Sequence, residues 1–276
     1  SAWSGAPSSF SASGGSGPAR LSRLRRVDNP PAPPQERPLL SICIPTFNRA
    51  TCLEKLLRCL EGIVATHGPA IQVCVSDNQS TDSTPRVIRT WQARFAFDAV
   101  TQPTNVGATR NVAEVVTLAT GRWLLVMGDD DLLNPEGTGR LLSLLRTARD
   151  GTWVLAGVGG AAGSGLRLGN LRPGPHSPSA SRRALLRTGL SQMGFIGMHV
   201  WPSTRRLQLM ELSPHEAQPW PHVALLLRHV TDGGITVFPG PVVEQAAGGK
   251  ELFWSQGDWV SINLRTLDIA AGARRA

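Results

Sequence analysis

Trp123-Leu-Leu-Val-Met-Gly-Asp-Asp-Asp-Leu132 is an apolar run that stops on three adjacent carboxylates. The run reads as a strand. Three like charges side by side repel one another, and packing alone rarely needs them. A hard divalent cation does need several carboxylate oxygens at one point. At the C-terminal end of a strand in an open α/β sheet, Asp129, Asp130 and Asp131 would stand where such folds bind ligands. The other reading is a solvated acidic turn, with an Asp capping the next helix. The run alone does not choose between the two; the residues upstream do.

Upstream, strands and helices alternate. Leu39 to Ile44 is apolar and is closed by Pro45, and Leu53, Leu56, Leu57, Leu60 and Ile63 then recur at helical spacing. Ile71 to Val75 predicts a second strand, closed by Ser76-Asp77-Asn78. Thr84-Pro85 reads as an N-cap with Pro at the first helical position, opening a helix to about Trp91. Phe97 to Val100 predicts a third strand, Ala108 to Leu118 a helix, and the Trp123 run the fourth strand. Pro135 with Leu141, Leu142, Leu144 and Leu145 marks a further helix. This order implies a parallel, doubly wound α/β sheet. Each polar cluster then falls just after a strand: Pro45-Thr-Phe-Asn-Arg49, Ser76-Asp-Asn-Gln-Ser-Thr-Asp82, Asn105-Val-Gly-Ala-Thr-Arg-Asn111 and Asp129-Asp-Asp131. A parallel sheet sets all four along one edge. Each alone could be turn chemistry; four in this order point to a ligand.

Beyond Trp153 to Leu155 the alternation becomes irregular. Residues 157 to 175 read as a Gly-rich loop, followed by a helix near 180–189, a strand near 193–200, a helix from Pro221 to Val230 and a short strand, Ile235 to Phe238. Gly157-Val-Gly-Gly-Ala-Ala162 has the spacing of a dinucleotide fingerprint, but no apolar helix follows and it does not close the first strand. Residues 1 to 38 are rich in Ser, Gly, Ala and Pro and read as a tail too polar to offset its ordering entropy. Within them, Arg20-Leu-Ser-Arg-Leu-Arg-Arg26 reads as a solvated charged segment, with contact to anionic lipid as the alternative.

The 276 residues, 41% hydrophobic and 17% charged, are ample for a packed core. A net charge of +8 and a pI of about 10.7 suit a polyanionic partner: nucleic acid, an acidic membrane surface or a phosphorylated substrate. Tyr is absent and no base-stacking motif occurs, which ranks nucleic acid last. Cys43, Cys52, Cys59 and Cys74 form no CxxC pair, so they read as small buried hydrophobes in a reducing compartment rather than as a zinc site. No run of 18 apolar residues predicts a membrane span, and no signal peptide is visible, which points to a cytoplasmic protein.

Ser41-Ile-Cys-Ile-Pro-Thr-Phe-Asn-Arg49, Val75-Ser-Asp-Asn-Gln-Ser-Thr-Asp82, Asn105-Val-Gly107 with Arg110-Asn111, and Gly128-Asp-Asp-Asp-Leu132 together resemble the family 2 glycosyltransferases of GT-A fold. The last motif is most similar to the abequosyltransferase-like branch. The resemblance covers about residues 39 to 150 and implies a doubly wound, mostly parallel sheet carrying the nucleotide-sugar half. A smaller, irregular acceptor half would follow over residues 151 to 276.

That resemblance implies roles residue by residue. Pro45, Thr46, Phe47 and Arg49 match the loop along the nucleotide. Asp77, with Asn78 beside it, matches the acid that reads the base, usually uracil. Arg110 matches the basic residue near base and phosphates. Asp129 to Asp131 match the motif that holds Mg2+ or Mn2+ against the diphosphate. Pro135 stands four residues after Asp131, a register that puts Gly128 at the family's first acid and makes Asp130 the ligand; a pair of Asp129 and Asp131 is the alternative. Asp130 and Asp131 are the expected direct ligands, with Asp129 facing the ribose.

Inverting members carry an acidic pair before a helical basic residue. Counted back from Arg228, His222 fills the slot of the usual Asp, and an imidazole can accept a hydroxyl proton at neutral pH. The competing reading is a structural helix-start histidine. Glu216 is the second candidate base. His199 could ligate a metal but reads better as a core histidine, and Trp220, Trp254 and Trp259 could stack on an acceptor sugar, Trp254 being the best exposed candidate. The implied activity is transfer of a sugar from a nucleoside diphosphate donor to a saccharide or lipid-linked acceptor, with peripheral contact at the inner membrane face. A nucleotidyltransferase is the rival enzyme, disfavoured because Pro45 to Arg49 lacks glycine; a scaffold that has lost catalysis is the non-enzymatic rival.

Overall fold

The computed structural model describes residues 37–160, 171–188, 193–212 and 220–245. Its elements are β1 (Leu40–Thr46), α1 (Ala50–His67), β2 (Ile71–Asp77), α2 (Thr84–Gln92), β3 (Asp98–Thr101), α3 (Ala108–Thr117), β4 (Trp123–Val126), β5 (Leu132–Leu133) and α4 (Pro135–Thr147). There follow β6 (Trp153–Gly160), β7 (Gly174–His176), α5 (Pro178–Thr188), β8 (His199–Pro202), α6 (Arg206–Met210), α7 (Pro221–His229) and β9 (Ile235–Gln245).

All the strands join one sheet, in the order β3-β2-β1-β4-β8-β6-β9-β5, with β7 pairing β9 to the side. The first four strands are parallel: Cys43 faces Cys74 across β1 and β2, Leu40 faces Trp123 across β1 and β4, and Cys74 faces Asp98 across β2 and β3. This is the expected doubly wound half. The remainder is mixed. β8 runs antiparallel to both β4 and β6, β6 runs parallel to β9, and β5 and β7 run antiparallel to β9.

Period-two alternation explains why helices cover both faces. In β1, Leu40, Ile42 and Ile44 point to one side, where they pack with Leu53, Leu56, Leu57 and Leu60 of α1, Val87 and Trp91 of α2, and Leu141 and Leu145 of α4. Cys43, with Cys74, Leu124 and Val126, points to the other side, against Val115 and Val116 of α3 and Leu225 and Leu226 of α7. A strand buried on both faces has no polar stripe, which is why β1, β2 and β4 read as continuous apolar runs. Truncating Leu57, fully buried at this interface, to alanine would cost about 2–5 kcal/mol.

Some expectations change, and the strand expected near 193–200 is confined to His199–Pro202. Residues 1–36 of the expected tail lie outside the described residues, while Arg37 donates to the carbonyls of Thr120 and Gly121 and to Ser203, and the Pro38 carbonyl accepts from Arg122. Thr84 is the first residue of α2 rather than its N-cap, and its N–H is held by Asp82 Oδ1 at 2.8 Å. Residues 157–160 are strand, not loop, and β9 extends seven residues beyond the expected Phe238, to Gln245. The polar connection after Asp131 contains β5, which ties the acidic motif to β9 through Leu132 and Leu133.

Candidate functional site

β1, β2 and β4 are parallel neighbours, so their C-terminal ends lie side by side and deliver Thr46, Asp77 and the 129–131 carboxylates to one edge. Buried hydrogen bonds hold the three ends together. Asn111, on α3, donates through Nδ2 to the Ser76 carbonyl at 3.0 Å and accepts from Ser76 Oγ at 2.6 Å. Gln102 Nε2 donates to the same hydroxyl at 3.0 Å. The Asn78 N–H donates to the Thr46 carbonyl at 2.9 Å, and Thr46 Oγ1 donates to Asp129 Oδ2 at 2.6 Å.

Two loops are locked by their own polar side chains. Asn48 adopts φ +53, a left-handed conformation that asparagine tolerates better than most side chains. Its Oδ1 accepts from the Thr81 N–H at 2.7 Å, and its own N–H donates to Ser80 Oγ at 2.8 Å. Asp82 Oδ2 accepts from the Ala50 N–H at 3.1 Å, and Thr84 Oγ1 from the Arg49 N–H at 3.1 Å. On the other side of Asp77, Asn78 donates to Asn105 Oδ1 at 2.9 Å and accepts from the Val106 N–H at 2.8 Å.

Asp77 sits between these loops and is fully buried. Its Oδ1 accepts from the Ser80 N–H at 3.1 Å. Its Oδ2 has no hydrogen-bond partner among the described residues. A buried carboxylate oxygen left unpaired is costly, and such an exception calls for a function.

The acidic motif divides into two parts. Asp129 is buried and turned toward Thr46 and Arg49, whose Nε lies 3.6 Å from its Oδ1. Burial pushes the Asp129 carboxyl up to about 6, against the pull of Thr46 and Arg49, while the charge of Asp130 pushes the same way as burial. Arg49 Nη1 meets Asp130 Oδ2 at 2.9 Å. Burial works against the guanidinium charge, but Asp129 and Asp130 outweigh it and raise the Arg49 pKa. Asp130 Oδ1 and Asp131 Oδ2 both lie over Gly128: a Cβ built on that residue would stand 2.6 Å from the first and 3.2 Å from the second. The bare backbone of Gly128 is what leaves that space. Two carboxylates with oxygen donors suit Mg2+, which is commonly held by one or two carboxylates and completed by substrate phosphates. No group of three or more His, Cys, Asp or Glu side chains able to hold a metal occurs among the described residues.

The other expected residues are placed as follows. Pro45, near the end of β1, and Phe47, just after it, are half-buried. Arg110, on α3, is largely exposed and pairs with Glu114 through Nε at 2.6 Å. His222, on α7, is buried rather than lining an open edge. Its Nε2 lies 3.2 Å from the Met193 carbonyl and 3.1 Å from the Gly194 carbonyl, and its ring is 4.8 Å from that of His199. Burial first, then the neighbouring His199, hold its pKa well below the ordinary value. With Nε2–H donating to carbonyls and burial opposing the charge, His222 has the surroundings of a core histidine; the expected role as an accessible base does not fit them. His199 bonds Met193 in the same way at 2.7 Å and lies in the core, as does Trp220, packed on Gly194. Glu216, Trp254 and Trp259 lie outside the described residues. The locking residues Asn48, Asp82 and Asn111 received no role from sequence, although each stands in a quoted motif; polar residues bracketing a strand end at two consecutive loops were the available signal. No helix among the described residues is long and apolar enough to cross a membrane.

Residues 41–199 match the family described as Glycosyl transferase family 2. Abequosyltransferase RfbV of Salmonella typhimurium is 35% identical over 114 residues, which are 41% of this chain and 33% of that protein. Succinoglycan biosynthesis protein ExoO of Rhizobium meliloti is 28% identical over 115 residues, 41% of this chain and 31% of that protein. The matched region thus spans about a third of the length of these relatives. Among solved structures, S. aureus TarS 1-349 in complex with UDP superposes with a TM-score of 0.64 at 14% identity, over 85% of this chain and 68% of that one. Glucosyl-3-phosphoglycerate synthase from Mycobacterium tuberculosis, in complex with Mg2+ and UDP, gives 0.57 at 15% identity, over 86% and 80%. At these identities the likeness speaks to fold alone, and the fold is GT-A.

Proposed function

This chain belongs to glycosyl transferase family 2, and from that premise we propose that it moves a sugar from a UDP-type donor to a saccharide or lipid-linked acceptor, with inversion, in surface polysaccharide synthesis. The observation that carries the donor assignment is Asp77 Oδ2, buried and unpaired at the edge where β1, β2 and β4 end. A carboxylate is acceptor-only, and the imide N–H of uracil is the donor it lacks. Asn78 and Asn105 tie together the loops beside Asp77, so the positions of those loops are set before a base arrives. Pro45, Thr46, Phe47 and Arg49 line the nucleotide, and Arg110 on α3 offers a cation to the phosphates once it leaves Glu114.

Asp130 and Asp131 are the proposed holders of Mg2+ or Mn2+, which supplies electrostatic stabilisation of the leaving diphosphate when bound. Asp129, committed to Thr46 and Arg49, orients the strand end rather than completing that pair. The acceptor hydroxyl attacks the anomeric carbon, the bond to the diphosphate breaks, and a base takes the hydroxyl proton. Glu216, the second candidate of the sequence, is proposed as that base in place of His222, since a carboxylate can take a hydroxyl proton at neutral pH. The net charge of +8 supports a phosphorylated lipid-linked acceptor at a membrane surface on the cytoplasmic side.

A screen of UDP, GDP, CDP and dTDP by thermal shift, each with and without Mn2+, tests the donor. UDP with metal is expected to raise the melting temperature most, because a ligand that binds only the native state stabilises it by mass action. Absence of any shift, together with no metal-dependent hydrolysis of UDP-sugars, overturns the proposal and leaves the non-catalytic scaffold.

A further inference from the structure

The acidic edge already contains a cation of its own. Arg49 bridges two of the three adjacent carboxylates, at 2.9 Å from Asp130 and 3.6 Å from Asp129, and its side chain is largely buried. Its backbone cannot wander: the Asn48 turn, the Thr84 hydroxyl on its own N–H and the Asp82 carboxylate on the next N–H pin the start of α1 to the β2–α2 loop. What remains adjustable is the guanidinium, four rotatable bonds away. Asp130 is the shared residue. One of its oxygens faces Arg49, while the other converges with Asp131 over Gly128.

We propose that Arg49 is a resident counter-cation of this edge, which lowers the affinity of a divalent metal for Asp130 and Asp131 until a nucleoside diphosphate arrives and draws the guanidinium away. This rests on the donor site proposed above. The argument is electrostatic. A guanidinium on Asp130 neutralises part of the charge that would attract a second cation, and it repels that cation directly. A diphosphate supplies paired oxygens that the planar guanidinium fork of arginine can meet bidentately. Turning Arg49 from Asp130 to phosphate then frees the carboxylate as the metal's other partners appear. Metal and nucleotide would therefore bind with positive coupling beyond their direct contact, and the coupling is reciprocal. Without metal and nucleotide, Arg49 spares the protein the repulsion of three adjacent carboxylates.

The experiment is binding, not turnover. Free Mn2+ is titrated by electron paramagnetic resonance against the wild-type chain, R49Q and R49K, each with and without UDP, alongside metal-free melting temperatures. R49Q is expected to bind Mn2+ alone about fivefold more tightly than wild type, the scale of one partly exposed ion pair. It should also gain less Mn2+ affinity from UDP, and melt lower without metal. R49K, which keeps the charge but loses the bidentate fork, should bind Mn2+ alone as weakly as wild type. If R49Q binds Mn2+ alone no more tightly than wild type, while wild type binds Mn2+ in the presence of UDP, the counter-cation role is overturned and the donor site stands. If wild type takes up neither Mn2+ nor UDP, the donor site fails, and this inference with it.

Discussion

Replacing Asp77 by asparagine removes one charge and no volume, so it isolates what the buried carboxylate does. In the free protein Oδ2 is buried without a partner, and Oδ1 holds the Ser80 N–H at 3.1 Å. The amide keeps one acceptor for Ser80, and the space of Oδ2 now holds an NH2 group. Stability without ligand should therefore be unchanged or higher, since an unpaired charged oxygen is no longer desolvated. Binding should respond in the opposite direction. A hydrogen bond to a charged group is worth about 1.5–3 kcal/mol, so UDP affinity should fall by about 10- to 150-fold. The new NH2 would face the imide N–H of uracil, donor against donor, but would suit the unprotonated N3 of cytosine. Titration calorimetry with UDP and CDP, on wild type and Asp77→Asn, reads both effects: the wild type should prefer UDP, and the variant should lose or invert that preference. A variant that folds and binds UDP as tightly as wild type would refute the reasoning, and Asp77 would be a turn residue whose orphan oxygen has another explanation.

Asp130→Ala should abolish metal-dependent transfer and Mn2+ uptake while the chain still folds, and transfer persisting in excess chelator would sink the metal assignment. Gly128→Ala should push the Asp130 carboxylate from its place with little loss of melting temperature, because the notional Cβ meets the movable end of a side chain at 2.6 Å, and its Mn2+ affinity should fall. Glu216→Gln should lower turnover by about two to four orders of magnitude with nucleotide affinity unchanged; His222→Ala should instead lower the melting temperature, and near-normal stability with lost turnover in His222→Ala would return the base to that residue. Stability should fall as pH drops below about 6.5, since His199 is held at about 4 and His222 and His229 are also lowered, all by burial first, so the unfolded chain binds more protons there. His199 alone would contribute about 3 kcal/mol, fully present above pH 6.5 and gone below 4, while Asp129, raised to about 6 from 3.8, works in the opposite sense between those values, so Asp129→Asn should steepen the profile read by thermal melting.

The half of the fold that was legible in sequence is the half whose order repeats. In this half β1, β2 and β4 are buried on both faces, each helix shows a single apolar stripe, and each candidate polar cluster sits where a strand ends; local pattern and tertiary position coincide. The second half breaks that agreement for identifiable reasons. Leu132 and Leu133 are too short a run to read as a strand, and only their pairing with Glu244 and Val243 makes them one. Residues 157–160 read as loop because glycine disfavours strands, yet here it is required: a Cβ on Gly157 would meet the Gly240 carbonyl at 2.8 Å, and one on Gly159 would collide with the Glu244 carboxylate. The same limit misled the reading of His222. Its place in sequence matched a catalytic slot, but α7 is buried along nearly its whole length, so the helix has no wet face on which to present a base. A short helix gives no sequence signal for whether its polar residue faces solvent or the carbonyls of a neighbouring turn; that is decided by Met193 and Gly194, some thirty residues away in the chain. The polar clusters at the strand ends are written locally, so their gathering at one sheet edge could be read from the chain. The surroundings of α7 depend on which distant segment covers it, and they emerge only once the chain is folded.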